Sequence, residues 1–203
     1  MGKIKVACRH RLRREAANVG VRCFISVDIE DQSILDALEE AQRRLRGTGA
    51  DLKCVERGNI HITVRFLGDV REGLVAKLQR LVSDTAFSPF RVEFRGLGAF
   101  PSLRRPRVVW AGISDGVEEL AAIFRRLEPE LVGMGFRPEG RGFSPHITLA
   151  RVRSGRNRDR LVEEVMAHAD DVFGEMEVRH IRLKKSVLTP GGPIYSTLAE
   201  SRG

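Results

Sequence analysis

The chain has 203 residues, long enough for one sizeable core, and its 42% hydrophobic and 31% charged content is ordinary for a globular protein. No apolar run approaches the roughly 18 residues that a membrane span needs, and the basic N-terminus lacks the apolar segment of a secretory signal. The net charge of +8 is concentrated in residues 1–22, which hold seven basic residues and one acidic residue, so the rest of the chain, with 28 basic and 26 acidic residues, is almost neutral.

The chain begins with a basic segment that shows no apolar periodicity. We expect residues 1–21 to be an N-terminal extension that is either disordered or foreign to the natural product, which would then begin near Val21. A basic arm can also attract nucleic acid, so that role stays open. We expect residues 22–203 to form a single domain. The cysteines form no CxxC pair, which predicts reduced thiols in a cytoplasmic protein at Cys8, Cys23 and Cys54.

The next elements follow the order strand, helix, strand, helix, strand. Apolar residues predict a short strand at 22–27, and helical spacing predicts a helix that begins after the capping residue Asp31 and stops near Gly47. A second helix is predicted around residues 74–82, and the first half closes with a longer strand at 91–97. The strand HITVRFLG lies between the two helices.

The same order of elements recurs 85 residues later, with one more strand at the end. The corresponding segments are 107–112, 117–131, 146–151, 161–169, 177–187 and 193–198. This duplication predicts an α+β fold with two pseudo-symmetric lobes, each with an antiparallel sheet and two helices, around a central cleft. Clefts between lobes are favoured positions for ligand sites.

Each half contains one copy of the pattern His, apolar, Thr, apolar. Side chains alternate between the two faces of a strand, so His61 and Thr63 share one face, and the apolar residues after each of them share the other. The same alternation places His146 beside Thr148. If the two strands lie side by side, the site combines two imidazoles with two hydroxyl groups.

Two histidines of this kind suit a displacement at phosphorus. With a pKa near 6.5, one imidazole can serve as general base and the other as general acid, while threonines and arginines hold the phosphate oxygens. On an unbroken strand Arg65 faces the same cleft as His61, whereas Arg151 faces away from His146 unless a bulge intervenes. A 2′,3′-cyclic phosphate at an RNA end fits, because opening its ring needs one acid and one base and no cofactor.

The remaining candidate residues concern RNA and metals. No metal site is predicted, because each copy offers a single histidine and no HxH, HExxH or nearby acidic ligand completes a set. There is no Walker loop and no dinucleotide fingerprint. Trp110 is expected in the core. The candidate RNA contacts are basic residues of a Gly- and Pro-rich loop and two aromatic residues: Arg104, Arg105, Arg107, Phe100 and Tyr195.

These segments resemble the two-histidine phosphoesterase superfamily, and within it the LigT-like RNA 2′,3′-cyclic phosphodiesterases, also named 2′-5′ RNA ligases. The resemblance covers nearly all of residues 22–199 and rests on RCFISVDI, RGNIHITVRFLG, AFPSLRRPRVVWAG, SPHITLAR and KKSVLTPGGPIYSTLA. It implies that His61 is the proton donor, that His146 is the proton acceptor, and that Thr63 and Thr148 bind phosphate. It also implies metal-independent hydrolysis to a 2′-phosphomonoester.

Two alternatives stay open beside this expectation. The reverse reaction would make the protein a 2′-5′ RNA ligase that joins tRNA halves, and loss of turnover would leave a non-catalytic RNA- or nucleotide-binding module. In each case the expected partners are RNA or nucleotides with 2′,3′-cyclic phosphate ends. We expect a cytoplasmic monomer without a cofactor.

Overall fold

The computed structural model describes residues 20–140 and 142–202, and within these ranges it contains nine β-strands and four α-helices. The strands are β1 Val21–Asp28, β2 Leu52–Cys54, β3 His61–Val70, β4 Phe90–Phe100, β5 Val108–Asp115, β6 Ile147–Val152, β7 Val172–Val178, β8 Arg182–Leu188 and β9 Pro193–Glu200. The helices are α1 Gln32–Gly47, α2 Glu72–Ser83, α3 Val117–Gly133 and α4 Arg158–Ala167, and a short 3-10 turn covers Arg57–Asn59.

The first helix shows how the sequence sets these elements. The Asp31 carboxylate accepts hydrogen bonds from the backbone N–H groups of Ser33 at 2.8 Å and Ile34 at 3.2 Å, which satisfies donors that a helix start leaves unpaired. Apolar residues at helical spacing, such as Leu38 and Leu45, are fully buried. The predicted cap and the predicted end at Gly47 are therefore confirmed.

All strands join one antiparallel sheet with the order β7-β4-β5-β6-β3-β1-β8-β9, and the short β2 pairs with β6. The two central strands, β3 and β6, are paired only at Ile62 and Ile147. This narrow junction divides the sheet into two lobes, β7-β4-β5-β6 with the short β2 and β3-β1-β8-β9. The predicted α+β class with two lobes is confirmed.

The lobes do not coincide with the two halves of the sequence. Strand β4 of the first half pairs with β5 of the second half, and β8 of the second half pairs with β1 of the first. The helices follow the same exchange, because α1 packs against β7 and α4, while α3 packs on β3. Each lobe therefore draws its core from both halves of the chain.

The segment expected as one strand at 177–187 is two strands, so that prediction is wrong. Strand β7 ends at Val178, opposite Phe90 of β4, and β8 begins at Arg182 beside β1 in the other lobe. Between them Ile181 is buried, and its N–H donates to the Ser201 hydroxyl at 2.9 Å. The chain thus changes lobe at residues 179–181.

The described residues bear on the expected thiols and on the absence of an apolar span, but not on the N-terminal extension. Residues 1–19, with Cys8, lie outside the described residues, so the nature of the extension stays an expectation; Cys23 and Cys54 are free thiols. None of the helices in the described ranges has the length and apolar character that crossing a bilayer requires.

Candidate active site

The two His–Thr pairs meet at the junction between the lobes. Ile62 of β3 pairs with Ile147 of β6 in antiparallel register, and both isoleucine side chains are fully buried. One residue further in each direction, this register sets His61 opposite Thr148 and Thr63 opposite His146. Because the isoleucines point into the core, the histidines and threonines point to the opposite face. The expected combination of two imidazoles and two hydroxyls on one face is present.

The backbone selects the tautomer of both histidines. Nδ1 of His61 lies 2.8 Å from the carbonyl oxygen of Asn59, and Nδ1 of His146 lies 2.8 Å from that of Ser144. A carbonyl oxygen only accepts, so Nδ1 carries the hydrogen in both rings and Nε2 carries the lone pair of the neutral form. Both Nε2 atoms are therefore the groups available for proton transfer.

The threonine of the first motif contacts its histidine directly. Nε2 of His61 lies 3.0 Å from the Thr63 hydroxyl oxygen, which donates its hydrogen to the neutral ring. The ring of His61 also packs on Phe24, with centroids 4.9 Å apart, and meets the edge of Tyr195 at 5.5 Å. His146 meets Phe100 edge to face, with centroids 4.9 Å apart. Aromatic neighbours thus fix the orientation of both imidazoles.

Burial makes the charged form of His61 less favourable. Its pKa lies below the usual 6.5, chiefly because burial disfavours the imidazolium; the hydrogen bond to Asn59 and the charge of Asp28 act in the opposite direction. The positive charges of Lys184 and His146 also lower it. His61 is therefore neutral at neutral pH in the free protein.

Asp28 forms the charged neighbourhood of His61. Its Cα pairs with that of His61 in the sheet, and its Oδ2 accepts hydrogen bonds from Lys184 at 2.5 Å and Arg182 at 2.9 Å. Burial on its own would raise the pKa of Asp28, but these hydrogen bonds outweigh it and hold the pKa below its usual range. Asp28 is therefore a fixed negative charge beside the first motif.

Each central strand contains a β-bulge just after its motif. In β3, Ser26 pairs with Thr63 and Ile25 with Arg65, so Val64 is the extra residue. In β6 the extra residue is Leu149, because Trp110 pairs with Thr148 and Val109 with Ala150. A bulge reverses the alternation of side chains beyond it. The fifth residue after each histidine therefore faces the cleft, and the fourth faces away from it.

Arg65 is accordingly not a cleft residue, and its expected placement beside the phosphate is wrong. Its side chain is only 8% exposed and forms hydrogen bonds to Glu128 of α3, at 2.7 Å from Nε and 3.2 Å from Nη2. Nη1 lies 3.6 Å from Glu139. Arg151, which needed a bulge to reach the cleft, lines it. The alternation of side chains along an unbroken strand favoured Arg65, but Arg65 is structural. Arg151 is the arginine that faces the site.

The cleft contains a cavity of about 350 Å³ beside the motifs, within the range of small-molecule sites, ~300–1000 Å³. Its lining includes three of the four motif residues, His61, Thr63 and Thr148, together with Arg151 and the expected Tyr195. Further lining residues that sequence reasoning missed are Arg22, Phe24, Lys53, Glu56, Phe66 and Leu188. The repeat offered one signal for them, because Phe66 stands 85 residues before Arg151.

The other expected RNA contacts do not line the cavity. Phe100 contacts the His146 ring, and the half-buried Trp110 packs on Phe100 with centroids 5.2 Å apart. The remaining three are exposed on the connection between β4 and β5 and do not line the cavity: Arg104, Arg105 and Arg107. In the described part of the chain, no three His, Cys, Asp or Glu residues are grouped so as to hold a metal ion.

The internal duplication of the chain has a counterpart in a known protein family. A family model described as LigT like Phosphoesterase matches residues 27–110 and again residues 112–195. The two matches are offset by 85 residues, the spacing of the two His–Thr motifs. The internal repeat is therefore a property of the family model as well as of this sequence.

Relatives extend over most of the chain. An RNA 2′,3′-cyclic phosphodiesterase of Aeropyrum pernix is 48% identical over 153 residues, which cover 75% of this chain and 87% of the relative. An RNA 2′,3′-cyclic phosphodiesterase of Methanothermobacter thermautotrophicus is 41% identical over 180 residues, covering 88% and 96%. A crystal structure of a Thermus thermophilus protein superposes with a TM-score of 0.70 at 30% identity, covering 88% of this chain and 96% of that one.

Proposed function

The chain belongs to the LigT-like phosphoesterase family, and from this we propose that it is an RNA 2′,3′-cyclic phosphodiesterase that yields 2′-phosphomonoesters. The single observation that carries the proposal is the pairing of Ile62 with Ile147, because it aligns both His–Thr motifs on one face. The names of the relatives support the choice of substrate.

In the proposed reaction the two histidines act on opposite sides of one phosphorus atom. Nε2 of His146 removes a proton from a water molecule, whose oxygen attacks the phosphorus in line with the bond to the ribose 3′ oxygen. That bond breaks, and the leaving oxygen takes a proton from Nε2 of His61. The phosphate remains on the 2′ oxygen. The Nδ1 hydrogen bonds to backbone carbonyls support these roles, because they make Nε2 the nitrogen of each ring that exchanges protons.

Phosphate binding is assigned to residues that face the cleft. Thr63 and Thr148 flank the junction, and Arg151 follows on β6 beyond the bulge. Their hydroxyl and guanidinium donors would hold the non-bridging oxygens, whose charge must be stabilised in the transition state. His61 must be protonated to act as the acid; a bound phosphate anion would favour that form despite the burial of the ring.

The test is hydrolysis of nucleoside 2′,3′-cyclic phosphates in the presence of EDTA, with the product identified by ³¹P NMR. The expected product is the 2′-phosphate, formed at an unchanged rate in EDTA. Loss of activity in EDTA would overturn the metal-independent mechanism, and a 3′-phosphate would reverse the assignment of the leaving oxygen. Tight nucleotide binding without any product would favour the non-catalytic binding module.

The proposed working unit is a monomer of one domain, residues 22–203, that acts on RNA or nucleotides in the cytoplasm. Both histidines and both threonines of the cleft come from one chain, and one sheet continues through both lobes. Catalysis therefore needs no second copy. Sedimentation at the concentration of the assay, with activity measured across a dilution series, tests this: specific activity that fell on dilution would contradict it.

A further inference from the structure

The cleft continues past the reacting groups along the short strand β2. Strand β6 pairs with β3 at Ile147, and beyond the bulge it pairs instead with β2 at residues 150–152. In this register Lys53 lies directly opposite Arg151, and both line the cavity that contains His61. The mechanism above uses Arg151 but gives Lys53 no role.

The charge of Lys53 is available to a ligand. Three basic side chains line the cavity, Arg22, Lys53 and Arg151, against one acidic side chain, Glu56. None of the three basic residues forms an ion pair with any residue in the described ranges. By contrast, the buried Arg65 beside the cleft is neutralised by Glu128. The far end of the cleft thus carries a net positive charge, and its basic side chains form no ion pair within residues 20–140 and 142–202.

The position of Lys53 separates it from the reacting phosphate. Arg151 follows Thr148 by three residues, a span of up to ~10 Å at the rise of a β-strand and somewhat less across a bulge, and Lys53 lies one strand further, ~5 Å away. The Lys53 ammonium stands beside Gly192, 4.0 Å from the point that a Cβ there would occupy, and the reacting phosphate is left to the two threonines and Arg151. The spacing suits a second phosphate one nucleoside away along the same RNA strand.

We propose that Lys53 binds the phosphate on the 5′ side of the terminal nucleoside, so that the preferred substrate is an oligonucleotide end and not an isolated nucleoside cyclic phosphate. This inference rests on the proposed function. Lys53 is a specificity-determining residue in this scheme: its ammonium group binds the 5′ phosphate through charge-assisted hydrogen bonds.

Three substrates separate the contributions: a nucleoside 2′,3′-cyclic phosphate, the same compound with a 5′-phosphate, and a dinucleotide with a 2′,3′-cyclic end. For the unaltered protein, kcat/KM should be about tenfold higher with either of the last two, the effect of one charged hydrogen bond. In Lys53→Met this preference should largely disappear, and Lys53→Arg should retain it. Lys77→Met, which alters an exposed lysine on α2 outside the cavity, is the matched control and should leave all three rates unchanged.

The outcomes separate failure of the proposed phosphodiesterase activity from failure of the role proposed for Lys53. If no substrate is hydrolysed, the proposed function fails, whatever Lys53 does. If the nucleoside cyclic phosphate is hydrolysed but a 5′-phosphate gives no gain, or if Lys53→Met keeps the full gain, the inference is overturned and the proposed function stands. Circular dichroism of each variant confirms that the fold is retained.

Discussion

Phe66 and Arg151 occupy the same position in the two repeats, five residues after His61 and His146, and both side chains line the cleft. A bulge in each strand turns them to this face. One is an aromatic ring that is 61% exposed, and the other is an exposed guanidinium. The scaffold is pseudo-symmetric, but an aromatic ring on one strand suits a nucleobase, whereas a guanidinium on the other suits a phosphate. We therefore predict that the cleft binds a nucleotide in one orientation, with the base toward Phe66 and the phosphate toward Arg151.

Replacement of Arg151 by Met should reduce kcat/KM for a nucleoside 2′,3′-cyclic phosphate by about 10- to 100-fold, the worth of a hydrogen bond to a charged group. The thermal midpoint should change little, since the side chain is exposed and forms no ion pair with the described residues. Arg156→Met, in the exposed turn that follows β6, is the control and should keep normal activity. An Arg151→Met enzyme with full activity would remove Arg151 from the site.

Replacement of Phe66 by Ala should raise KM by about 5- to 150-fold, because stacking of a base on an aromatic ring is worth about 1–3 kcal/mol. The loss should be larger for purine than for pyrimidine substrates, which offer less surface for stacking. Met166→Ala removes a side chain of similar exposure, 60%, on α4 outside the cavity, and should leave KM unchanged. Equal KM values for Phe66→Ala and the unaltered protein would show that the base binds elsewhere.

The sequence predicts the reacting groups well because their signal is local. Two motifs at one spacing, flanked by apolar strands, are sufficient to place His61 and His146 on one face of a sheet. Arg65 and Arg151 could not be placed in the same way, since a bulge adds one residue to a strand and shifts every later side chain to the other face. Nothing in the residues near Val64 or Leu149 marks the bulge.

The exchange of strands between the lobes could not be predicted from the sequence either. The partners of β4 and β8 are set by contacts between distant segments, which local periodicity does not report. This explains why Lys53 was missed. Its strand has three residues, and its importance comes only from pairing with Arg151 nearly one hundred positions along the chain.

Arg65 should prove structural when it is replaced by Met. Removing one partner of a buried ion pair leaves the other charge uncompensated, at a cost of about 3–5 kcal/mol, and Arg65 and Glu128 are 8% and 17% exposed. Partial exposure of Glu128 argues for the lower end, which corresponds to a fall of roughly 6–12 °C in thermal midpoint. Activity at low temperature should stay near normal, because the side chain faces away from the cleft.

The control for Arg65 is Arg91→Met, which breaks an ion pair to Glu175 between side chains that are 62% and 48% exposed, and which should cost no more than about 1 kcal/mol. A large loss of kcat/KM in Arg65→Met without loss of stability would contradict the structural role and show that Arg65 acts in the site. Partial burial alone would raise the pKa of Glu128, but the ion pair with Arg65 holds that pKa below its usual value. The stability that the pair contributes is therefore complete above the pKa of Glu128 in the unfolded chain, and it is lost as the pH falls through the lower pKa of the folded protein.

His61→Ala and His146→Ala should each lower kcat by about 10²- to 10⁴-fold, the usual worth of one general acid or base. The double variant should lose less than the product of the two losses, since acid and base act in one step. His180→Ala, which removes a histidine bonded to the Ser201 carbonyl outside the cavity, is the control. Full activity in both single variants would refute the site.

The pH dependence of kcat/KM can assign the acid and the base. This quantity reports the free enzyme, in which burial holds the pKa of His61 below 6.5. If His61 is the acid, it must be protonated, so kcat/KM should fall as the pH rises through that lowered pKa. If His61 is the base, the same pKa governs the limb on which kcat/KM rises with pH.

Two substitutions identify the limb that belongs to His61. Asp28→Asn removes a negative charge that favours the imidazolium, so that limb should move to lower pH, and Lys184→Met removes a positive charge, so it should move to higher pH. The effects add to those of the broken Asp28–Lys184 pair, which act in the same directions. Opposite shifts of the falling limb support His61 as the acid, and opposite shifts of the rising limb exchange the two roles. If neither limb moves while Lys77→Met behaves like the unaltered protein, His61 does not control the rate, because its nearest fixed charges then have no effect on turnover.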